Sequence, residues 1–315
     1  MPVVCYLLQT HNNPDQIHRL VNAIISTSSR PFVLICHDPR FCELDVNRFK
    51  QLGQVEVILA EGGRGDFKIV RSYLDAIGWL LQNKIDFDWL INLSGQDYPT
   101  QSLFDLEKRI ESSPHDGYME YFPVDKTQPW IRFTGEDRYF YQYLRLIPNL
   151  NPLIRGIISP FKTLINASQP LIRLNLSYGL MLGLKAQSTP FNDTFSCYGG
   201  SFFKTLSRAC IEYLYSHSLD HPELVSYYER TVIPDESYIQ TVLVNSHLFK
   251  FCNNNHLYVD FSGSLRHGRP RILTSEDYSN LLSDNIFFAR KFDPAVDTKI
   301  LDQLDQRIFK NYSLE

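Results

Sequence analysis

Four short apolar runs, Val3 to Leu8, Pro31 to Cys36, Val55 to Ala60 and Trp89 to Leu93, are separated by longer stretches with helical spacing. This alternation limits the fold more than any other feature. Each run is too short for a buried helix and lacks the in-out pattern of a half-solvated strand, so each reads as a strand covered on both faces. The patterns around Glu43 to Gln51, Phe67 to Gln82 and Leu103 to Glu111 read as helices. After the first strand, Asn13-Pro14-Asp15-Gln16 reads as a helix start, with Asn13 as N-cap, proline in the first turn and Gln16 closing a capping box. Strands and helices in alternation predict an α/β fold with a parallel sheet covered on both sides. In such sheets ligands bind beyond the carboxyl ends of the strands. His11, His37-Asp38, the Gly62-Gly63-Arg64-Gly65 turn and Ser94 to Asp97 therefore converge on one candidate site.

Charge and composition remove several function classes. The 315 residues carry 31 basic and 35 acidic side chains, a formal charge of −4, and no DNA- or RNA-binding motif, which sets nucleic acid aside. Cys5, Cys36, Cys42, Cys197, Cys210 and Cys252 are scattered without metal-ligand spacing, so reduced thiols in a cytoplasmic protein are expected and a zinc site is not. The start, MPVVCYLLQTH, lacks the basic region of a signal peptide, and no apolar run reaches the ~18 residues of a membrane span, so a complete, soluble chain is expected.

The second half changes character. From Arg138 to Asn192 there is no Asp or Glu, while Arg138, Arg145, Arg155, Lys162, Arg173 and Lys185 are interleaved with Leu, Ile and aromatic residues. This basic insertion has two readings: a helical flap over the site, or a peripheral contact with an anionic membrane, on the inner face of the cell membrane. Further helices are expected at Lys204 to Ser216, Asp235 to Asn245 and Glu276 to Ser283, with a strand at Leu257 to Phe261.

Asp86-Phe87-Asp88 has the Asp-x-Asp form by which many sugar transferases hold a divalent metal on the donor diphosphate. It precedes the Trp89 strand, at the wrong end of the sheet, and reads as a solvated turn. At the ligand end Gly95-Gln96-Asp97 supplies one carboxylate, too few oxygen donors for a dedicated metal cage, so no metal is expected. A diphosphate bound there needs cationic side chains. Arg266-His267-Gly268-Arg269-Pro270-Arg271 and Arg290-Lys291 are the candidates, since guanidinium forks grip phosphate oxygens in pairs and an ammonium adds a mobile point charge. Such clusters are also common in solvated loops. The Gly62 to Gly65 turn matches neither GxGxxG nor a P-loop and reads as a strand-to-helix turn. Pro234-Asp235-Glu236-Ser237 opens a predicted helix, where a carboxylate is an ordinary dipole partner and equally a general base kept ionised. Gly199-Gly200-Ser201 either turns the chain or offers N–H groups to an anion. A Ser-His-Asp hydrolase arrangement is not recognisable.

In chain order, Arg19-Leu20-Val21-Asn22-Ala23-Ile24, Ile35-Cys36-His37-Asp38, Ile91 to Pro99, Gly200-Ser201, Pro234-Asp235-Glu236-Ser237 and Phe288-Ala289-Arg290-Lys291-Phe292-Asp293 resemble the core-2/I-branching β-1,6-N-acetylglucosaminyltransferase family. That family includes peptide O-xylosyltransferases, and the likeness, to a short bacterial-type member, covers most of the chain. It implies a GT-A type α/β fold, mainly parallel at its centre and flanked by helices, with a helical insertion. It also implies inverting, metal-independent transfer of a sugar, N-acetylglucosamine or xylose, from a UDP-sugar to a hydroxyl of a glycan or protein, without a cofactor. Under it, one domain comprises a nucleotide-sugar half (1–137), the insertion (138–192) and an acceptor and catalytic half (193–315). By position Glu236 is the implied base, and Lys291 with Arg269 or Arg271 holds the diphosphate. His11 and Asp38 lie on the uridine side, Asp97 and Ser201 near the donor sugar and phosphates, and Glu120, Arg132, Tyr258 and Asp260 at the acceptor. Phe202-Phe203 replaces a tryptophan-rich sequence, and Glu61 stands where a tryptophan often precedes Gly-Gly; both departures bear on sugar specificity. The alternatives are a non-catalytic carbohydrate-binding protein derived from such an enzyme, which needs no diphosphate clamp, and a UDP-sugar hydrolase.

Overall fold

The four apolar runs form strands β1 (Val4–Thr10), β2 (Pro31–His37), β3 (Val55–Leu59) and β4 (Trp89–Ser94), parallel and ordered β3-β2-β1-β4. The structure is a computed structural model describing residues 1–124, 135–262 and 269–312, with side chains described as far as Phe309. Helices α1 (Pro14–Thr27), α2 (Val46–Lys50) and α3 (Lys68–Gln82) connect the strands. Side chains alternate along a strand, so Val4, Tyr6 and Leu8 of β1 face one way and Cys5 and Leu7 the other. Both faces are buried, the first with Ile17, Leu20, Val21 and Ile24 of α1, the second with Val70, Tyr73, Leu74 and Ile77 of α3. That is why the sequence runs apolar without a break. Each such side chain contributes roughly 1.5–3 kcal/mol on burial.

The start of α1 differs from expectation. Asn13 adopts a left-handed conformation (φ 53°) and makes no side-chain cap. Gln16 is drawn away from the helix end, because its buried amide donates to the Phe292 carbonyl at 3.0 Å and so ties α1 to the distant C-terminal segment.

Beyond β4 come β5 (Asp97–Pro99), α4 (Leu103–Glu111), β6 (Gly117–Tyr118) and β7 (Phe122–Pro123). Next come α5 (Gly135–Tyr139), β8 (Tyr141–Ile147), α6 (Pro152–Ser168), β9 (Ile172–Asn175) and β10 (Leu180–Lys185). The insertion is thus not wholly helical: it is an antiparallel sheet ordered β8-β10-β9, with α6 packed on it. Tyr141, Tyr143 and Met181 face inward with period two and bury against Val232 and Ile233, which makes strands of this stretch.

The chain ends with β11 (Tyr198–Gly199), β12 (Thr205–Ser207), α7 (Arg208–Asp220), α8 (Pro222–Tyr228), α9 (Tyr238–Asn245), β13 (Phe251–Cys252), β14 (Leu257–Val259), β15 (Phe288–Arg290) and α10 (Lys299–Tyr312). The helix expected from Lys204 begins only at Arg208, because Thr205–Ser207 enters the central sheet between β4 and β6. That sheet, β13-β6-β12-β4-β1-β2-β3, is mainly parallel, with β12 alone reversed. The stretch expected as a helix from Glu276 is a 3₁₀ run, Ser275–Leu281, opened by a capping box of Thr274 and Asp277. A small second sheet, β14-β15-β5, sets Arg290 opposite Asp97 and so delivers the Arg290-Lys291 pair to the carboxyl end of β4.

Candidate active site

Asp38 leaves β2 with its N–H donating to the Thr10 carbonyl at 2.9 Å. Its carboxylate accepts from the Gly62 N–H at 2.9 Å and from Arg40 Nε at 2.8 Å. The Arg40 guanidinium pulls its carboxyl down to about 2. His11, at the end of β1, meets Phe41 edge to face at 5.4 Å. Lost solvation and the charge of Lys291 hold its imidazole below the usual range. His11, Asp38 and Lys291 thus share one neighbourhood, as the strand-end argument expected.

Asp97 is a different case. It is fully buried, accepts the Ser94 N–H at 2.6 Å and lies 3.3 Å from Arg290 Nε, whose guanidinium covers the Phe203 ring at 4.0 Å. Burial raises its carboxyl above the usual range, partly offset by Arg290. Asp97 therefore anchors the strand that carries the cations instead of lining the cleft.

Next along β15, burial pushes the Lys291 ammonium down to about 8, with further depression from Arg290, Arg269 and Arg64. Burial likewise lowers Arg64, followed by Arg269. Three chain segments far apart in sequence therefore bring like charges together, an arrangement that an anionic ligand would relieve. Arg64 belongs to the turn that the strand-end argument placed at the site, but sequence reasoning did not count it among the cations.

Arg271 is not part of that cluster. Its Nε lies 2.7 Å from Asp260, its Nη1 2.8 Å from Asp277, and its Nη2 also bonds Asp277, so its fork is filled by carboxylates. Of the two candidate arginines Arg269 is the one facing Lys291, while Arg271 braces the loop; Arg266 lies outside the described residues. Asp260 is engaged in that brace and also accepts the Ser262 N–H at 2.6 Å, which accounts for its carboxylate by structure alone. Arg271→Met leaves buried Asp277 without its main partner and is expected to lower stability by ~1–3 kcal/mol in urea denaturation. Diphosphate affinity should follow Arg269→Met instead.

Glu236 lies in a 3₁₀ turn, Pro234–Glu236, and α9 begins only at Tyr238. It is therefore not in the first turn of the long helix expected here. The turn is set by Ile233, which is left-handed (φ 56°) and donates to the Gly65 carbonyl at 3.2 Å. What holds the Glu236 carboxylate is Arg138 Nη1 at 2.5 Å, from a side chain only 7% exposed. Sequence reasoning gave no link between the two. Behind them, burial and the charge of Glu236 raise Asp235, and burial lowers Lys204.

Glu120 lies near Glu236: lost solvation, and then the Glu236 charge, raise its carboxyl above the usual range. Gly200 packs between them: its N–H donates to the Glu236 carbonyl at 2.8 Å, and a Cβ there would lie 1.9 Å from the Glu120 carbonyl oxygen. The glycine pair thus serves a close backbone approach. Ser201, half-buried, accepts from the Phe203 N–H at 3.3 Å and takes the Gln240 amide on its carbonyl at 2.6 Å. Tyr258 pairs with Ala289 and packs on the core; Arg132 lies outside the described residues.

Tyr178, on the β9–β10 turn, links the two halves. Its hydroxyl is raised by burial and by the charges of Asp235 and Glu236, with Arg64 and Arg138 opposing, and Arg64 lies 5.9 Å from its ring. Gly65 (φ +69°) has no room for a Cβ, which would meet the Tyr178 ring at 2.3 Å. Tyr178 thus lies near both the Glu236 carboxylate and Arg64, and Arg64 in turn neighbours Arg269 and Lys291. Asp86 and Asp88 lie at the opposite end of the sheet, exposed, with Asp88 accepting the Val3 N–H at 2.7 Å, as the solvated-turn reading expects. Among the described residues no three His, Cys, Asp or Glu side chains gather as a metal-ligand set. A concavity of about 540 Å³, lined by His115, Tyr121, His247 and Lys250, lies at the β13 edge and shares no residue with this site.

Comparison with known proteins agrees in direction. Residues 161–282 match the family model of the Core-2/I-Branching enzyme. Xylosyltransferase oxt of Drosophila melanogaster is 24% identical over 80% of this chain and 27% of its own length. The β-glucuronosyltransferase GlcAT14A of Arabidopsis thaliana is 27% identical over 76% of this chain and 47% of its own length. The chain thus spans about a quarter to a half of these relatives. The crystal structure of S. aureus TarS 1–349 in complex with UDP-GlcNAc is only weakly similar, at 13% identity and a TM-score of 0.29 over 57% of this chain and 44% of that one. The stretch matched by that family model, residues 161–282, includes Tyr178, Gly200, Ser201 and Glu236.

Proposed function

We propose that the chain is a glycosyltransferase that moves a sugar from a UDP-sugar to a hydroxyl of a glycan or protein, with inversion and without a metal ion. The observation that carries this reading is that Tyr178 lies near both one restrained carboxylate, Glu236, and the cation Arg64, which in turn neighbours Arg269 and Lys291. UDP is already a good leaving group, so two tasks remain: neutralising the departing diphosphate and activating the incoming hydroxyl. The cations serve the first task as preorganised charges in a partly dried cleft, where removing one such donor typically costs ~3 kcal/mol of transition-state stabilisation. Glu236 serves the second by taking the acceptor proton as the oxygen attacks the anomeric carbon from the face opposite the diphosphate. Arg138 fixes the direction of the carboxylate. In this reading His11 and Asp38 contact the uridine, and Glu120, near Glu236, contacts the acceptor.

N-acetylglucosamine and xylose are the donor sugars we favour. The relatives' names support xylose and add glucuronic acid. We propose the cytoplasm as the place of reaction, where the six free cysteines stay reduced. Product formation with UDP-xylose, UDP-N-acetylglucosamine, UDP-glucose, UDP-galactose and UDP-glucuronic acid, each with and without excess EDTA, tests the reading. One donor is expected to react at the same rate in both conditions. Loss of activity in EDTA with recovery on adding manganese would overturn the metal-free account, and no reaction with any donor and a range of hydroxyl acceptors would overturn the transferase.

A further inference from the structure

The insertion presents an apolar outer surface. Of the 19 large hydrophobic side chains exposed among the described residues, 11 fall between Leu144 and Leu184. They occupy two adjoining faces. On α6, none of whose residues is buried, Leu153, Ile157, Phe161 and Leu164 recur at helical spacing on one side, 78%, 69%, 62% and 66% exposed. The far side of α6 rests on the sheet, where the Asn166 amide donates to the Leu174 carbonyl at 3.1 Å and accepts its N–H at 2.8 Å. On that sheet Leu144 stands opposite Leu182 and Ile172 opposite Leu184, so Leu144, Ile172 and Leu184 share the face turned away from buried Tyr143 and Met181. Scattered apolar residues on a surface are ordinary, but this concentration is not.

Charge identifies the occupant. Residues 138–192 carry six cations and no acid; Arg138, Arg145, Arg173 and Lys185 pair with Glu236, Asp66, Asp137 and Glu136 outside the stretch, and α6 itself carries Arg155 and Lys162 and no acid. The longest acid-free stretch of the chain is therefore also its most exposed apolar one. A surface that is negative and offers apolar depth draws this stretch in. We propose that the outer face of α6 and the β8-β10-β9 sheet docks on an anionic bilayer. The apolar stripe of α6 sinks into the headgroup boundary while cations such as Arg155 meet lipid phosphates. The insertion is clamped to the cleft by the Arg145–Asp66 ion pair at 3.0 Å and by Tyr178 against Gly65, so docking holds the cleft beside the membrane, within reach of a lipid-anchored acceptor.

Cosedimentation of the full chain with vesicles tests this without using turnover, so its outcome is independent of the chemistry proposed for the cleft. Binding is expected to phosphatidylglycerol-containing vesicles at low salt, to weaken in high salt and to be slight with pure phosphatidylcholine. Ile157→Glu with Phe161→Glu, at two exposed positions, is expected to leave the circular dichroism spectrum unchanged and to reduce partitioning about tenfold or more. Phe161→Trp is expected to blue-shift and to be quenched by brominated lipid. No cosedimentation at low salt, unchanged binding of the double variant, or a dimer in light scattering that Ile157→Glu dissociates would each overturn the proposal, the last in favour of a second copy of this chain.

Discussion

Glu236→Gln is expected to lower the rate of sugar transfer roughly 10²–10⁴-fold, the contribution typical of a positioned general base. The substitution keeps the shape and the hydrogen bond to Arg138 but removes the proton acceptor, so UDP should bind as it does to the unaltered chain. Paired measurement of turnover and UDP affinity checks both halves. Normal turnover in the variant would remove Glu236 from the mechanism, and lost UDP affinity would make it a structural residue. Arg138→Met should also slow transfer, but by misdirecting a carboxylate that can still take a proton.

The second large effect is expected at Lys291. Lys291→Ala should cost about a hundredfold in turnover, the usual result of removing one preorganised donor, and should weaken UDP binding as well. Its protonation gives a further signature. The free-protein value is about 8, below the ~10.4 of an unfolded lysine, so the folded state prefers the neutral amine between these values and this group's contribution to stability rises with pH across that window. A bound diphosphate favours the charged form and works in the opposite direction. UDP affinity should accordingly fall as pH rises above about 8, with proton uptake on binding. Titration calorimetry in buffers of different ionisation enthalpy measures that uptake, and Lys291→Ala should abolish it.

Much of this arrangement was legible in the residue pattern because it rests on short-range rules. Unbroken apolar strands demanded a sheet covered on both faces, and the rule that ligands gather at carboxyl ends selected His11 and Asp38. The misses share a different origin. Arg138 reaches Glu236 across 98 residues, and Arg64 joins Lys291 only because β15 folds back along β5. No local spacing encodes such meetings. Asp97 looked like a ligand-facing carboxylate because it follows a strand, but the register opposite Arg290 buries it. Gln16 matched a capping box until a carbonyl at Phe292 claimed its amide. The insertion misled for a subtler reason: its tyrosines alternate inward with period two while the leucines outside repeat at helical spacing, and only the paired strands separate the two patterns.

A crystal structure of the chain with UDP would test the central claim most directly. The account predicts diphosphate oxygens within about 3 Å of Lys291 Nζ and the Arg269 guanidinium, with Arg64 close by and Glu236 still held by Arg138. A diphosphate bound away from these side chains, or bridged to the protein through a metal ion, would contradict it.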